Sequence, residues 1–304
     1  MQTETLENVV YEKDGAVARV ILNRPEKANT QSSGLVWDFD QALRMAERDF
    51  DVKVVIIKGS GKGFCAGHVM SGEPGTYPET EEAIERLGSV WRARQTLFLW
   101  PVLYLWEFPK PTIAQVHGYA IGGGSYFALL TDLTIASEDA WFQNPLVQGL
   151  GFPGGQTMIE PWVFGNWKRA ALYLYTAQKL SAAEALELGL VNQVVPRAEL
   201  ESTVEALAEK ISRPPLTTLM ATKAGLKRAW ELMGMRMHFQ MSTDLMTVAS
   251  SAGDVQAYLD PVYQRRMRGE NADPEGSRPP LMPTHRVEAS ERKGRKRKGS
   301  HQPG

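Results

Sequence analysis

What most limits the fold of this chain is a regular alternation of strand-length and helix-length segments over its first two thirds. Gly15 to Arg24 (GAVARVILNR) and Val52 to Lys58 (VKVVIIK) are β-branched runs of strand length. Between them Leu35, Phe39, Leu43, Ala46 and Phe50 recur at helical spacing, so the segment reads strand, helix, strand. A glycine-rich loop at 59–75 leads to a second helical stretch carrying Ile84, Leu87, Trp91 and Leu97, and Pro111 to Gly118 (PTIAQVHG) returns to strand. A short strand at Leu133 to Ala136, a loop at Phe142 to Gly155, a helix at Trp167 to Gln178 and a strand at Val191 to Val195 follow. Alternation of this kind builds an α/β core.

Beyond Pro196 the alternation stops. Leu200, Val204, Leu207 and Ile211 form one apolar stripe, and Leu216 to Gln264 continues without strand signals. The expected organisation is an α/β core at 1–197, a helical region at 198–268 packing on that core or on a neighbouring subunit, and a disordered tail at 269–304. The tail is rich in Pro, Gly, Ser and charge and cannot bury enough apolar surface to offset its ordering entropy. It contains the basic cluster RKGRKRKG, Arg292 to Gly299, read as a solvated tail, with nucleic-acid binding or a localisation signal as the alternative. The net charge is −1, so the rest of the chain is acidic on balance, which does not suit a body that grips nucleic acid.

The longest apolar run, Leu97 to Trp106, is interrupted by Pro101 and falls short of the ~20 residues a membrane span needs. No membrane crossing is expected. The polar N-terminus does not read as a secretory signal, and the single cysteine, Cys65, cannot form an internal disulfide. A cytoplasmic location is the natural expectation.

Glycine-rich turns raise several chemistries. VVIIKGSGKGF follows a strand but fits neither dinucleotide nor P-loop spacing. Ser125 sits in GGSYF, which lacks the closing glycine of a hydrolase nucleophile elbow. The five histidines are scattered and none pairs with Cys65 at ligand spacing, so no metal site is expected. What remains is a pair of turns, each after a strand: Gly63 to Val69 (GFCAGHV) and Gly118 to Ser125 (GYAIGGGS). Two backbone N–H groups, one at a helix N-terminus, would suit an oxygen that becomes anionic during reaction. The alternative is two tight turns that merely need glycine conformations.

At this point the residues resemble the enoyl-CoA hydratase/isomerase, or crotonase, superfamily over roughly 8–265. The likeness is carried by LNRPEKAN (Leu22 to Asn29), FCAGH (Phe64 to His68), KPTIAQVHGYAIGGG (Lys110 to Gly124), TDLTIASEDAWF (Thr131 to Phe142) and LSAAEALELGLVNQVVP (Leu180 to Pro196). The resemblance implies a crotonase-like spiral of repeated ββα units, a helical C-terminal region that makes homotrimers or hexamers, and an acyl-CoA or enoyl-CoA thioester as substrate. Coenzyme A would then come as part of the substrate, with no separate cofactor. It places the oxyanion-binding N–H groups at Ala66 and Gly123, beside Cys65, Gly67 and Gly122, and sets Arg24, Lys27 and Ala28 near the CoA phosphates and adenine.

The resemblance also implies two catalytic glutamates, at positions occupied here by Tyr126 and Leu146, and in some members an aspartate at the position of Gly154. Hydration needs a group to activate water and one to protonate the α-carbon. Substitutes within the motif are Tyr126 and His68. The histidine is similar to that of methylmalonyl-CoA decarboxylase-like members, where it faces the acyl group, and an imidazole changes charge near neutral pH. Glu160, just before Pro161, reads as a solvated or capping carboxylate at a helix start, with catalysis as the alternative. The aromatic group Trp100, Tyr104, Trp106 and Phe108 reads as core or subunit interface, with an acyl pocket as the alternative, and Cys65 as a packed side chain rather than a nucleophile. The expected activity is a lyase-type, hydratase-like reaction on a CoA thioester with non-standard acid and base. A silent CoA-thioester-binding protein and a decarboxylase-like enzyme using His68 are the alternatives.

Overall fold

The computed structural model describes residues 1–69, 90–154 and 157–258. Its strands are β1 (Gln2–Thr5), β2 (Val9–Asp14), β3 (Val17–Leu22), β4 (Val54–Gly59), β5 (Thr112–Val116), β6 (Tyr119–Ile121), β7 (Leu133–Ser137), β8 (Trp141–Gln143), β9 (Leu180–Ser181) and β10 (Gln193–Val195). Its helices are α1 (Ser33–Arg48), α2 (Val90–Arg94), α3 (Trp100–Glu107), α4 (Gly123–Leu129), α5 (Leu146–Leu150), α6 (Glu160–Val163), α7 (Trp167–Thr176), α8 (Ala182–Glu187), α9 (Leu200–Ser212), α10 (Leu216–Leu232) and α11 (Met235–Ala249). A π-turn, Gln95–Leu99, joins α2 to α3.

A seven-stranded sheet in the order β1-β2-β3-β4-β5-β7-β10 carries the fold, and β6-β8-β9 form a smaller second sheet. The strand expected at 15–24 is the second arm of a hairpin, β2 pairing antiparallel with β3. From β3 onward the large sheet is parallel. Parallel strands need both faces covered, and β4 shows why VVIIK suits that place. Val55 and Ile57 join the cluster under α1, whereas Val54 and Ile56 join Leu200, Val204 and Ala208 of α9 on the opposite face.

α1 starts at Ser32, whose side chain accepts the Leu35 N–H at 3.1 Å, the usual way a helix start satisfies an orphan donor. It buries Leu35, Phe39, Leu43 and Ala46 as the spacing predicts. Phe50 does not continue the stripe: the helix ends at Arg48, Asp49 is extended, and Phe50 is 80% exposed. α9 packs its stripe directly on the large sheet, each fully buried Leu or Val contributing about 1.5–3 kcal/mol. The helical run after it is broken at Gly234, which takes a left-handed conformation (φ +97°) and starts α11. Lys223 of α10 ties this region to the core, with Nζ 2.6 Å from Asp132 and donating to the Lys110 carbonyl at 2.7 Å. The segment read as a loop at 142–155 holds part of β8 and all of α5. Trp106 and Phe108 are buried core, while Trp100 is 40% exposed. Ile84, Leu87, Gly155, residues 259–268 and the tail at 269–304 lie outside the described residues.

Candidate active site

The two glycine turns meet because β6 docks beside the 63–69 turn. Cys65 and Ala120 form an isolated parallel bridge, and the Ile121 N–H donates to the Cys65 carbonyl at 3.0 Å. Gly67, at φ +86°, faces this junction: a Cβ there would lie 2.7 Å from the Ile121 carbonyl oxygen and 3.4 Å from the Gly123 nitrogen. Any larger residue would be strained and would force the turns apart. Gly122 precedes α4 as its N-cap residue, and Gly123 opens the helix, so the Gly123 N–H is among the amides with no intrahelical partner. The Ala66 N–H donates to the Ala28 carbonyl at 3.0 Å.

Around this junction the buried polar groups are ordered by named contacts. Gln31 donates from Nε2 to the Gly123 carbonyl at 3.1 Å, while its Oε1 has no partner among the described residues. His68 forms a parallel bridge with Gln31 and packs edge-on against Phe98, ring centroids 4.2 Å apart. His68 is half-buried as a residue, and burial of its imidazole pushes the pKa down to about 3, so it stays neutral at physiological pH. It is placed to offer a neutral ring N–H or lone pair rather than to titrate. Cys65 is fully buried and hydrogen-bonds from Sγ to the Asn29 carbonyl at 3.0 Å; burial raises its thiol to about 12, so no thiolate forms.

Arg24, Lys27 and Ala28 lie on the segment that meets the 63–69 turn through the Ala28 carbonyl. Pro25 to Lys27 form one 3-10 turn, and Ala28 and Asn29 both take left-handed backbone conformations (φ +53° and +52°). The turn is held from inside: Asn29 Oδ1 accepts the Arg24 N–H at 2.8 Å, and Asn29 Nδ2 donates to the Ser60 carbonyl at 2.8 Å. Arg24 donates from Nη1 to the Thr30 carbonyl at 3.1 Å, and Lys27 is exposed.

One turn along α4, the structure assembles a polar cluster that the sequence does not announce. Tyr126 is buried and donates to the Gly154 carbonyl at 3.2 Å. Asn144 Nδ2 donates to the Tyr126 hydroxyl at 3.2 Å, to the Gly154 carbonyl and to Glu160 Oε1 at 2.6 Å. Glu160 is therefore no solvated cap: it is 3% exposed, with Asn144, just before α5, bonded to its carboxyl. Burial raises its pKa to about 7, against the opposing Asn144 hydrogen bond. Burial and the nearby Glu160 charge push both Tyr126 and Tyr173 far above the usual phenol range. Glu160 Oε2, Tyr173 Oη and Thr157 Oγ1 lack hydrogen-bond partners among the described residues. Leu146 opens α5 with its N–H on Asn144 Oδ1 at 3.2 Å, and the Ser125 hydroxyl donates to the Ala120 carbonyl at 2.6 Å. Asn144, Gln31 and Tyr173 were not singled out by sequence reasoning, and beyond the Asn144-Pro145 turn pair nothing local marks them.

A parallel-rich α/β spiral with a glycine-led helix set against a second glycine turn is the architecture of the crotonase superfamily. The chain belongs to the enoyl-CoA hydratase/isomerase family, whose profile matches residues 12–262. It is 37% identical over 228 residues to the short-chain-enoyl-CoA hydratase of Clostridium acetobutylicum, covering 72% of this chain and 81% of that protein. It is 30% identical to the peroxisomal Δ(3,5)-Δ(2,4)-dienoyl-CoA isomerase of Arabidopsis thaliana, covering 75% and 84%. The crystal structure of an enoyl-CoA hydratase from Mycobacterium smegmatis superposes with a TM-score of 0.76 at 26% identity, covering 90% of this chain and 98% of that one. Among the described residues no helix is long and apolar enough to cross a membrane.

Proposed function

We propose that this family member binds an acyl- or enoyl-CoA thioester with its carbonyl oxygen between the Ala66 and Gly123 N–H groups and stabilises the enolate formed there. The observation that carries the reading is the Cys65–Ala120 bridge with its Ile121–Cys65 hydrogen bond, which sets the two turns against one another in a rigid backbone frame. Donors fixed before reaction stabilise developing charge without reorganising. The helix-start amide of Gly123, which has no intrahelical partner, is such a donor, whereas the Ala66 N–H is held by the Ala28 carbonyl at 3.0 Å and is shared with the thioester oxygen as a bifurcated bond.

In this reading coenzyme A arrives as part of the substrate, with Arg24, Lys27 and Ala28 along its phosphate and adenine end. Cys65, Gly67 and Gly122 shape the junction. His68 contributes a neutral hydrogen bond, and Tyr126 stands where the reacting acyl carbons pass. The exposed apolar side chains of α10 and α11, Leu226, Met237, Met241 and Leu245 among them, support assembly into a homotrimer or a hexamer. A cytoplasmic location accords with a single buried cysteine.

The test is turnover. Purified protein is incubated with enoyl-, β-hydroxyacyl-, malonyl- and methylmalonyl-CoA thioesters, and products are followed by mass spectrometry. Conversion of an enoyl or β-hydroxyacyl thioester supports the lyase reading, and loss of carbon dioxide from the malonyl pair supports the decarboxylase. Binding of every thioester with conversion of none reduces the protein to a thioester carrier.

A further inference from the structure

Buried carboxyl groups are costly and are normally paired or fully hydrogen-bonded. Glu160 is neither. One oxygen takes the Asn144 amide at 2.6 Å, and the other has no partner among the described residues although the side chain is 97% removed from solvent. Among the described residues no Lys or Arg acts on it; its polar neighbours are Asn144, Tyr126 and Tyr173. A group that served only to hold Asn144 would be served equally by a neutral amide. The Asn144 side chain meanwhile spans Glu160, Tyr126 and Gly154, fixing the carboxyl to the level of Tyr126 on α4.

That level matters. Gly123 and Tyr126 are three residues apart on one helix, hence on one face and about 4.5 Å apart along the axis. An acyl thioester whose oxygen sits on the Gly123 N–H has its α- and β-carbons two and three bonds from that oxygen, and side chains on a helix lean back toward its start, which brings these carbons within reach of the Tyr126 step. We propose that Glu160 is the carboxyl group that exchanges a proton with the α-carbon of the bound thioester, with Asn144 and Tyr126 as its positioning residues. The inference rests on the thioester reading above. The step balances: the Cα–H bond breaks, the proton forms an O–H bond on Glu160, and the electron pair passes into the enolate, whose charge rests on the thioester oxygen. The reverse step returns the proton to the α-carbon. Burial, which lifts the carboxyl to about 7, leaves it partly charged and partly protonated at neutral pH, as a group working in both directions requires.

The experiment measures deuterium entry at the α-carbon of butyryl-CoA in D2O by mass spectrometry, for the full chain and for Glu160→Gln, Glu160→Asp and Tyr126→Phe, with butyryl-CoA affinity measured by calorimetry. Wild type is expected to exchange with a rate that rises with pH through about 7. Glu160→Gln should lose roughly 10²-fold or more with affinity unchanged, Glu160→Asp should recover part of the rate, and Tyr126→Phe should shift the pH midpoint more than the plateau. Exchange by Glu160→Gln at the wild-type rate overturns the proposal while leaving thioester binding intact. If Glu160→Gln does not fold, a wild-type pH profile without an inflection near 7 overturns it equally. Absence of both exchange and binding in wild type overturns the underlying thioester reading as well.

Discussion

Gln31 holds the Gly123 carbonyl at 3.1 Å, so the loop before α1 is tied to the first residue of the glycine-led helix. Together with the Ile121–Cys65 and Gly122–Gln143 backbone bonds it fixes the start of α4, and it leaves Gly123 no room for a side chain. A Cβ there would lie 2.6 Å from His68 Nε2 and closer still to Gln31 Oε1.

Gly123→Val is therefore expected to displace Gln31 and His68 and to misplace the Gly123 N–H. Loss of one preorganised donor typically lowers kcat about 10²–10³-fold. Steady-state kinetics on whichever thioester is turned over, with calorimetric binding of a non-hydrolysable analogue, is the check; unchanged kcat and affinity would remove Gly123 from the site.

His68→Ala should lower kcat at least about 10²-fold on the true substrate while the fold and CoA affinity are kept. Because burial holds the imidazole far below its ordinary pKa, kcat should show no inflection attributable to His68 between pH 5 and 8. The unfolded chain takes up a proton at about 6.5 and the folded one does not until about 3. His68 thus costs stability as pH falls through that window, and His68→Ala should flatten the decline in Tm on the acid side.

Glu160 has the opposite sign. Its folded pKa of about 7 lies above the unfolded value of 4.5, so the folded state holds the extra proton between them. Its contribution is fully present below 4.5 and is lost as pH rises through about 7. Thermal melts of Glu160→Gln should fall less steeply than wild type across that interval; parallel curves would show that the carboxyl titrates normally.

Asp132→Asn should destabilise the protein by about 3 kcal/mol, since it leaves Lys223 buried with its charge unpaired. Asp132 also accepts the Thr112 N–H at 2.8 Å, so the loss loosens the start of β5. The denaturant midpoint reads this directly, and Asp132→Asn with Lys223→Met together should recover part of it, since Lys227, 3.4 Å from Asp132, still loses its partner.

Strand and helix order was legible because β-branched runs such as VKVVIIK and the Leu35–Phe39–Leu43 spacing report burial along one chain. The paired turns were legible for a related reason: glycines at 67 and 122–124 mark backbone that must come close to something. Phe50 misled because spacing cannot see that the helix stops at Arg48. Glu160 was misread for a deeper reason. Next to Pro161 it has every local mark of a solvated helix start, and only the approach of Asn144, Tyr126 and Tyr173, distant in sequence, removes it from water.

β1 gives the large sheet its outer boundary. Sheets built of long apolar strands leave a row of unpaired backbone groups at each margin, and such a margin can recruit a strand from another molecule. Here the last strand is four residues long, Gln2 to Thr5, exposed throughout, without an apolar side chain and with the charge of Glu4 in its middle. A second sheet stacking on that margin would have to cover Glu4 without a countercharge, so growth into larger β-aggregates is discouraged on the side where the parallel core would otherwise be open.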